Sequence, residues 1–226
     1  EMVSVGRRQN ILSDENISEI VELLNTDDKN SRLISIEEVA ENEYVLNPSR
    51  YLQRETVVKN GVFFETVIKN ITRGAQIKAS VLDEIVSDEP TNMQYLMLAN
   101  LQDGIISDEL PYLKGIDSKY EKYCIKNGSL VISKNASPVK MAIVSVQEGN
   151  KILANGNLYV IELDKDKINP YFLKAYLESE SGKAALSRVA VGATLLNLPV
   201  EGLKKVIIPL PDLESQKKIA DQYYAK

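Results

Sequence analysis

Histidine and tryptophan are absent from this chain of 226 residues, and cysteine occurs once. Without histidine there is no Ser-His or Cys-His nucleophile pair and no imidazole general base. A zinc site takes about four ligands, usually Cys and His, and that set is missing too. Cys124, the single cysteine, cannot close an intramolecular disulfide and fits a reducing compartment. It stands between Tyr123 and Ile125 and reads as a buried structural thiol. No apolar run reaches the length of about 18 residues that a membrane span needs. The start, EMVSVGRRQN, lacks the apolar centre of a signal peptide. These absences point to a cytoplasmic protein with no membrane partner. Neither a P-loop nor a Gly-x-Gly-x-x-Gly cradle is present. Carboxylates are plentiful, but Asp27-Asp28, Glu37-Glu38 and Asp83-Glu84 read as solvated turn or helix positions. An independent enzyme is therefore disfavoured.

The formal net charge is −5, which at first argues against a nucleic-acid partner. Its distribution argues otherwise. Residues 1–68 hold 7 basic and 13 acidic side chains, whereas residues 69–226 hold 20 and 19. Three windows in the second part carry no acid: Thr66 to Leu82, with Lys69, Arg73 and Lys78; Lys122 to Gln147, with Lys122, Lys126, Lys134 and Lys140; and Ser181 to Val200, with Lys183 and Arg188. Screening limits electrostatic reach to about 8–10 Å in physiological salt, so phosphate attraction follows local charge. Chance spacing of surface lysines would give the same windows.

The pattern of residues predicts an α+β fold, with a twisted, mostly antiparallel sheet and a few helices, preceded by a helical tail segment. Ser13 is placed to cap a helix carrying Ile17, Ile20, Val21 and Leu24 on one face. Ser35 caps a second, Ile36 to Glu41. Residues 42–51 are extended around Pro48, with Tyr44, Leu46 and Tyr51 as packing groups and Arg50 beside an acid. Residues 52–68 read as a linker. Val81 to Val86 is short and apolar. Met93 to Asn100 is a strand before a turn at Asp103-Gly104, and Asn127-Gly128 is a turn before the strand Leu130 to Ile132. Met141 to Val146 and Leu158 to Leu163 are further strands, with Ile152 to Gly156 a turn-rich crossing between them. Pro170 opens a helix to Glu178, and Gly182 to Val189 is another. The run Val206 to Ile208 is a short strand that Pro209 and Pro211 force into an extended exit. Asp212 then caps a helix bearing Gln216, Ile219 and Tyr223. The polar start and the helix still running at Gln222 to Lys226 suggest a piece of a longer protein.

Two ordered series of motifs carry a family resemblance. Gly6 to Leu12, Ile34 to Val39 and Asn42 to Tyr51 (Asn-x-Tyr-x-Leu-Asn-x-x-Arg-Tyr) resemble the end of an N6-adenine DNA methyltransferase, the modification subunit of type I systems. Tyr95 to Ile105, Gly128 to Ser133, Asn155 to Leu163, Pro170 to Ser179 and Gly192-Ala193-Thr194 follow in order, ahead of the Pro-x-Pro and terminal helix. This second series is similar to the target recognition domain of type I restriction-modification specificity proteins, with Ser129 where that family usually has Asp. The resemblance implies a tail and linker over residues 1–68 and a double-stranded DNA recognition domain over 69–226. It further implies a methyltransferase catalytic domain as partner, with specificity or restriction subunits, and S-adenosylmethionine as cofactor of the parent enzyme but not of this segment. Both series lie on one chain, which favours a fused subunit over a free-standing specificity subunit. Asn169-Pro170-Tyr171-Phe172 approaches the Asn-Pro-Pro-Phe/Tyr loop of amino-methyltransferases. Tyr171 breaks the pattern, however, and the segment reads as a helix start.

Sequence reading takes donors and acceptors aimed at base edges, with cations on phosphates. In the first loop Arg73 could face guanine and Gln76 adenine, with Lys78 beside them. The second loop places Lys134 and Lys140 for phosphates and Asn135 for a base edge. Asn155, Asn157, Thr194 and Asn197 are weaker candidates, and Asn155 and Asn197 read first as turn formers. Tyr112, Tyr120 and Tyr123 read as core or phosphate-contact groups. The competing reading is a subunit-docking module with little DNA contact of its own. The central expectation is that Arg73, Lys134 and Lys140 converge on one surface.

Overall fold

The computed structural model describes every residue except 1, 2, 7, 8, 25, 27–30, 43, 47, 53–57, 59, 108, 193–196 and 226, and only the backbone at 3–6, 9, 10, 49 and 50. The chain divides into two units, Glu1–Glu55 and Thr56–Lys226.

In the first unit a hairpin of β1 (Val3–Gly6) and β2 (Gln9–Ile11) precedes α1 (Asp14–Leu23), α2 (Ile36–Glu41) and α3 (Pro48–Leu52). The hairpin was not expected from the sequence. Ser13 caps α1 as predicted, and Asn16 completes a reciprocal capping box with its amide in place of the usual Glu or Gln. The Ser35 hydroxyl accepts from the Glu38 backbone and starts α2. Tyr51 is buried and its hydroxyl donates to the Val45 carbonyl. Arg32 holds Glu38 and also donates to the Tyr51 carbonyl. Tyr44 and Leu46 do not pack as expected. They are 70% and 75% exposed, and Tyr44 takes a positive φ of 57° that turns the chain out of α2. The Arg50 side chain lies outside the described atoms.

The second unit begins earlier than the sequence suggested. Residues 61–67 are not linker. In that stretch β3 (Gly61–Phe63) pairs antiparallel with β14 (Ile207–Pro209), and Phe64 and Val67 are fully buried in the unit's core. Next come β4 (Ile68–Arg73), α4 (Ala79–Ile85), β5 (Val86–Ser87), β6 (Met93–Leu96), β7 (Leu101–Gln102), β8 (Ile105–Ile106) and β9 (Tyr112–Leu113). They are followed by β10 (Leu130–Ser133), β11 (Met141–Ile143), β12 (Lys151–Ala154), β13 (Leu158–Leu163), α5 (Pro170–Glu178), α6 (Glu180–Val189) and α7 (Val200–Lys204). After β14 the unit ends in α8 (Leu213–Tyr224). The Asp103-Gly104 turn between β7 and β8 has φ of 49° and 77°, the paired positive values of a tight hairpin.

Two four-stranded sheets organise this unit, ordered β11-β10-β13-β4 and β12-β6-β9-β5. The first is antiparallel throughout. Its central strands alternate between two cores. Leu130, Ile132, Tyr159 and Ile161 face the helices, packing with Phe172, Leu173 and Leu177 of α5. Val131, Leu158 and Val160 turn the other way, toward Leu96, Ile152 and Ala154 of the second sheet. Burial on both faces explains why β10 and β13 read as near-continuous apolar runs. The second sheet is mixed, with one parallel pair in an otherwise antiparallel arrangement. Residues 151–154, read as part of a turn-rich crossing, form β12, which runs parallel to β6. Val81 to Ile85 proves helical within α4.

Asp212 caps α8 as expected. Gln216 is fully buried there. Its Oε1 accepts from the Asn169 backbone, while Nε2 donates to the carbonyls of Lys167 and Pro211. One amide thus ties α8 to the start of α5. Gln216→Ala removes three hydrogen bonds made by one buried side chain, so about 2–3 kcal/mol of stability should be lost. Urea denaturation measures this. An unchanged midpoint would mean that water takes over the bonds.

Candidate nucleic-acid interface

The strand register decides where the predicted loops emerge. Arg73 at the end of β4 stands opposite Tyr159, and Ser133 at the end of β10 stands opposite Leu158. Both loops therefore leave the sheet at the edge where β13 begins, immediately after the Asn155-Gly156-Asn157 turn. Backbone hydrogen bonds fasten them together. Gly74 donates to Leu158 at 2.9 Å and Ala75 to Ala154 at 2.8 Å. Lys134 donates to the Asn157 carbonyl at 2.8 Å, and Leu198 to the Lys134 carbonyl at 2.9 Å. Asn135 bridges Asn197. Four separate segments thus form one hydrogen-bonded rim.

Each candidate has a definite place in this rim. Arg73 is exposed and its Nε donates to the Gly156 carbonyl at 2.7 Å, so one edge of the guanidinium holds the neighbouring loop. Gln76 is exposed over Gly156, whose missing side chain leaves room for the Gln76 Cγ. Lys78 is exposed at the N-cap of α4. Ser133 closes the second loop. Its N–H donates to the Lys140 carbonyl, and its hydroxyl accepts from the Lys140 N–H. Lys134, Asn135 and Lys140 are half-buried. The Asn155 side chain is turned inward, with Nδ2 donating to the Tyr95 hydroxyl at 2.6 Å and Oδ1 accepting from the Asn157 N–H at 2.9 Å. Asn157 itself is exposed. Asn197 exchanges both backbone bonds with Val191 and so closes its own loop. Thr194 lies outside the described residues. Tyr120 and Tyr123 pack in a small cluster around Tyr95 rather than facing the rim.

Local charge separates rim cations from their neighbours. Lys69 pairs with Asp164 at 3.1 Å and Lys126 with Glu162 at 2.7 Å, both acids brought from outside the acid-free windows. Burial works to raise the Glu162 carboxyl, but hydrogen bonds from Lys126 and Asn70 outweigh it and hold it below the ordinary range. Lys126 is thereby paired with a carboxylate. Among the described residues, Lys134 and Lys140 take no carboxylate partner. Lys134 and Lys140 therefore join Lys78 on the rim without a carboxylate among the described residues, whereas Lys69 and Lys126 nearby are each paired with one.

Sequence reasoning placed Gly74 and Gly156 in these loops without their close packing, and missed Tyr95 as part of this site. Their contribution is a close crossing of backbones and a bond from below, and neither leaves a compositional mark. Among the described residues no cluster of His, Cys, Asp or Glu could hold a metal ion, and no helix is long and apolar enough to cross a membrane.

A family model described as the type I restriction modification DNA specificity domain matches residues 63–222. Another, described as N-6 DNA Methylase, matches residues 1–60. No curated protein matches the chain. Among solved structures, one describing complex assembly and conformational transition of the type I R-M system is 17% identical with a TM-score of 0.53, covering 93% of this chain and 47% of that one. The S subunit of a type I restriction-modification system from M. genitalium is 13% identical (TM-score 0.48), covering 75% of this chain and 39% of that one. The HsdS subunit from Thermoanaerobacter tengcongensis is 14% identical (TM-score 0.49), covering 93% and 46%. The chain spans less than half the length of each. At these identities the likeness is one of fold, a mixture of helices and antiparallel sheets.

Proposed function

The chain belongs to the type I restriction modification DNA specificity domain family, and from that premise we propose that its second unit reads a double-stranded DNA sequence through the rim at the start of β13. The unit then directs adenine methylation, and with a nuclease partner restriction, to that site. The observation carrying this reading is the hydrogen-bonded convergence of residues 73–78, 134–140, 155–157 and 197–198, with Lys134 and Lys140 unpaired by acid among the described residues. Such cations fix register on phosphates while amides and a guanidinium address base edges.

Residues 1–60, similar to the N-6 DNA Methylase family, would be the closing segment of a methyltransferase fused to the recognition unit. In support, α1 buries none of its residues within its own unit, and Ile17, Ile20, Val21 and Leu24 are all about half exposed or more. An apolar face of this kind suits packing on a catalytic domain. S-adenosylmethionine would be held by that domain. The Asn-Pro-Tyr-Phe segment supplies no target-amine loop here: Asn169 spends its Oδ1 capping α5, accepting from Tyr171 and Phe172. No step of methyl transfer is assigned to this chain.

Titration of duplex DNA across several salt concentrations tests the reading. Affinity should fall steeply as salt rises. Salt-independent or absent binding would leave subunit docking as the function instead. A finer prediction concerns Arg73. Its removal should relax preference at one base position, costing roughly 1–3 kcal/mol of discrimination. Arg73→Lys should not restore it, because an ammonium cannot bond Gly156 and a base edge in one plane. An unchanged preferred sequence in both variants would exclude Arg73 from base reading.

A further inference from the structure

We propose that Tyr95, which lies beneath the rim and outside every loop that forms it, is a positioning residue for sequence discrimination. This rests on the DNA-recognition reading above. Tyr95 is 1% exposed on β6, clustered with Ala75 of the first rim loop and with Met93, Leu113 and Leu153. Its register partner on β12 is Leu153, two residues before Asn155. The Asn155 amide can be oriented in only one way. The Asn157 N–H is a donor, so Oδ1 must face it and Nδ2 must face the Tyr95 hydroxyl.

From that bond one continuous path leads outward. Tyr95 Oη accepts from Asn155 Nδ2 at 2.6 Å, and Asn155 Oδ1 accepts from the Asn157 N–H at 2.9 Å. The Asn157 carbonyl accepts from the Lys134 N–H, and the Lys134 carbonyl from the Leu198 N–H. Alongside the backbone bonds that fasten the rim, this path links three of its four segments to one buried hydroxyl, and Arg73 ties the remaining one to the same turn through Gly156. Asn157 is the exposed amide at the centre of this path. Its placement against a base edge depends on the angle at which Asn155 holds the turn. Phosphate contacts tolerate small shifts, because an ammonium on a flexible stem follows its phosphate. Bidentate base contacts do not. Loss of the Tyr95 hydroxyl should therefore damage discrimination and leave non-specific attraction alone.

The test compares the protein with its Tyr95→Phe, Asn155→Ala and doubly substituted variants. Selection from a randomised duplex library gives the preferred sequence. Titrations of that duplex and a scrambled one, at several salt concentrations, give the affinity ratio and the salt slope. Tyr95→Phe should lower the ratio about tenfold, with scrambled-duplex affinity and slope unchanged. The double variant should lose no more than Asn155→Ala alone. An unchanged ratio in folded Tyr95→Phe overturns the proposal, as do additive losses in the double variant or a parallel fall in scrambled-duplex affinity. If Tyr95→Phe does not fold, Asn155→Ala decides alone, by the same fall in ratio or its absence. Failure of the parent protein to bind any duplex would instead defeat the proposed function, and is told apart because it shows before any substitution.

Discussion

Alanine at both Lys134 and Lys140 is expected to weaken binding to every duplex by on the order of 10- to 100-fold at physiological salt, and to flatten the log-log salt slope by about two. Each ammonium that neutralises a phosphate releases close to one counterion, so the change in slope reports how many phosphates are no longer neutralised. The preferred sequence should not change, because phosphates carry none. The same experiment on Lys126 provides the contrast. That ammonium is held at 2.7 Å by Glu162, an acid kept ionised by the lysine itself and by Asn70. Its loss should leave the slope nearly where it was. A fluorescence anisotropy titration at four or more salt concentrations separates these outcomes. Equal slopes for the double variant and the parent would remove the second loop from the interface.

Gly74→Ala should produce the other large effect without touching any charge. An added Cβ would stand 2.2 Å from the Asn155 carbonyl oxygen and 2.7 Å from that of Ala154. Both obstacles are backbone, and the flanking bonds from Gly74 to Leu158 and from Ala75 to Ala154 hold them in place. The loops must separate, at a cost of about 2–3 kcal/mol, and the turn at residues 155–157 must move with them. Reduced stability in denaturation should accompany a collapse of the cognate-to-scrambled ratio. Gly156→Ala is the milder control. Its nearest obstacle, at 2.7 Å, is the Cγ of the Gln76 side chain, and the nearest backbone atom is the Ala75 carbonyl oxygen at 3.2 Å. Equal damage from the two substitutions would mean that the backbone crossing at Gly74 is not what constrains the rim.

The elements that were legible beforehand are those whose cause is local. Ser13, Ser35 and Asp212 cap helices because a short oxygen acceptor beside free N–H groups does so in any context. Asp103-Gly104 turned where predicted because few other pairs accept two positive φ values. Elements set by distant partners were misread. Residues 151–154 became a strand only because β6 lies alongside, and 61–63 only because β14 returns from the far end of the unit. The site followed the same division. Rim loops could be named from glycine, lysine and amide content, yet the roles inside the rim could not. Asn155 reads from sequence as a turn former first and a base reader second, and only the Tyr95 hydroxyl at its amide reveals the positioning duty. Arg73 shows its second duty only when Gly156 comes within reach.

The pairing of β3 with β14 has a consequence for how such a unit can be handled. Three residue pairs, Phe63 with Ile207, Val62 with Ile208 and Gly61 with Pro209, lay the first strand of the unit against its last. The path in and the path out of the unit therefore sit side by side, fastened like a clasp. Under the proposed function, exchanging everything between them for another sequence of the same architecture should alter what is read while β3 and β14 stay paired.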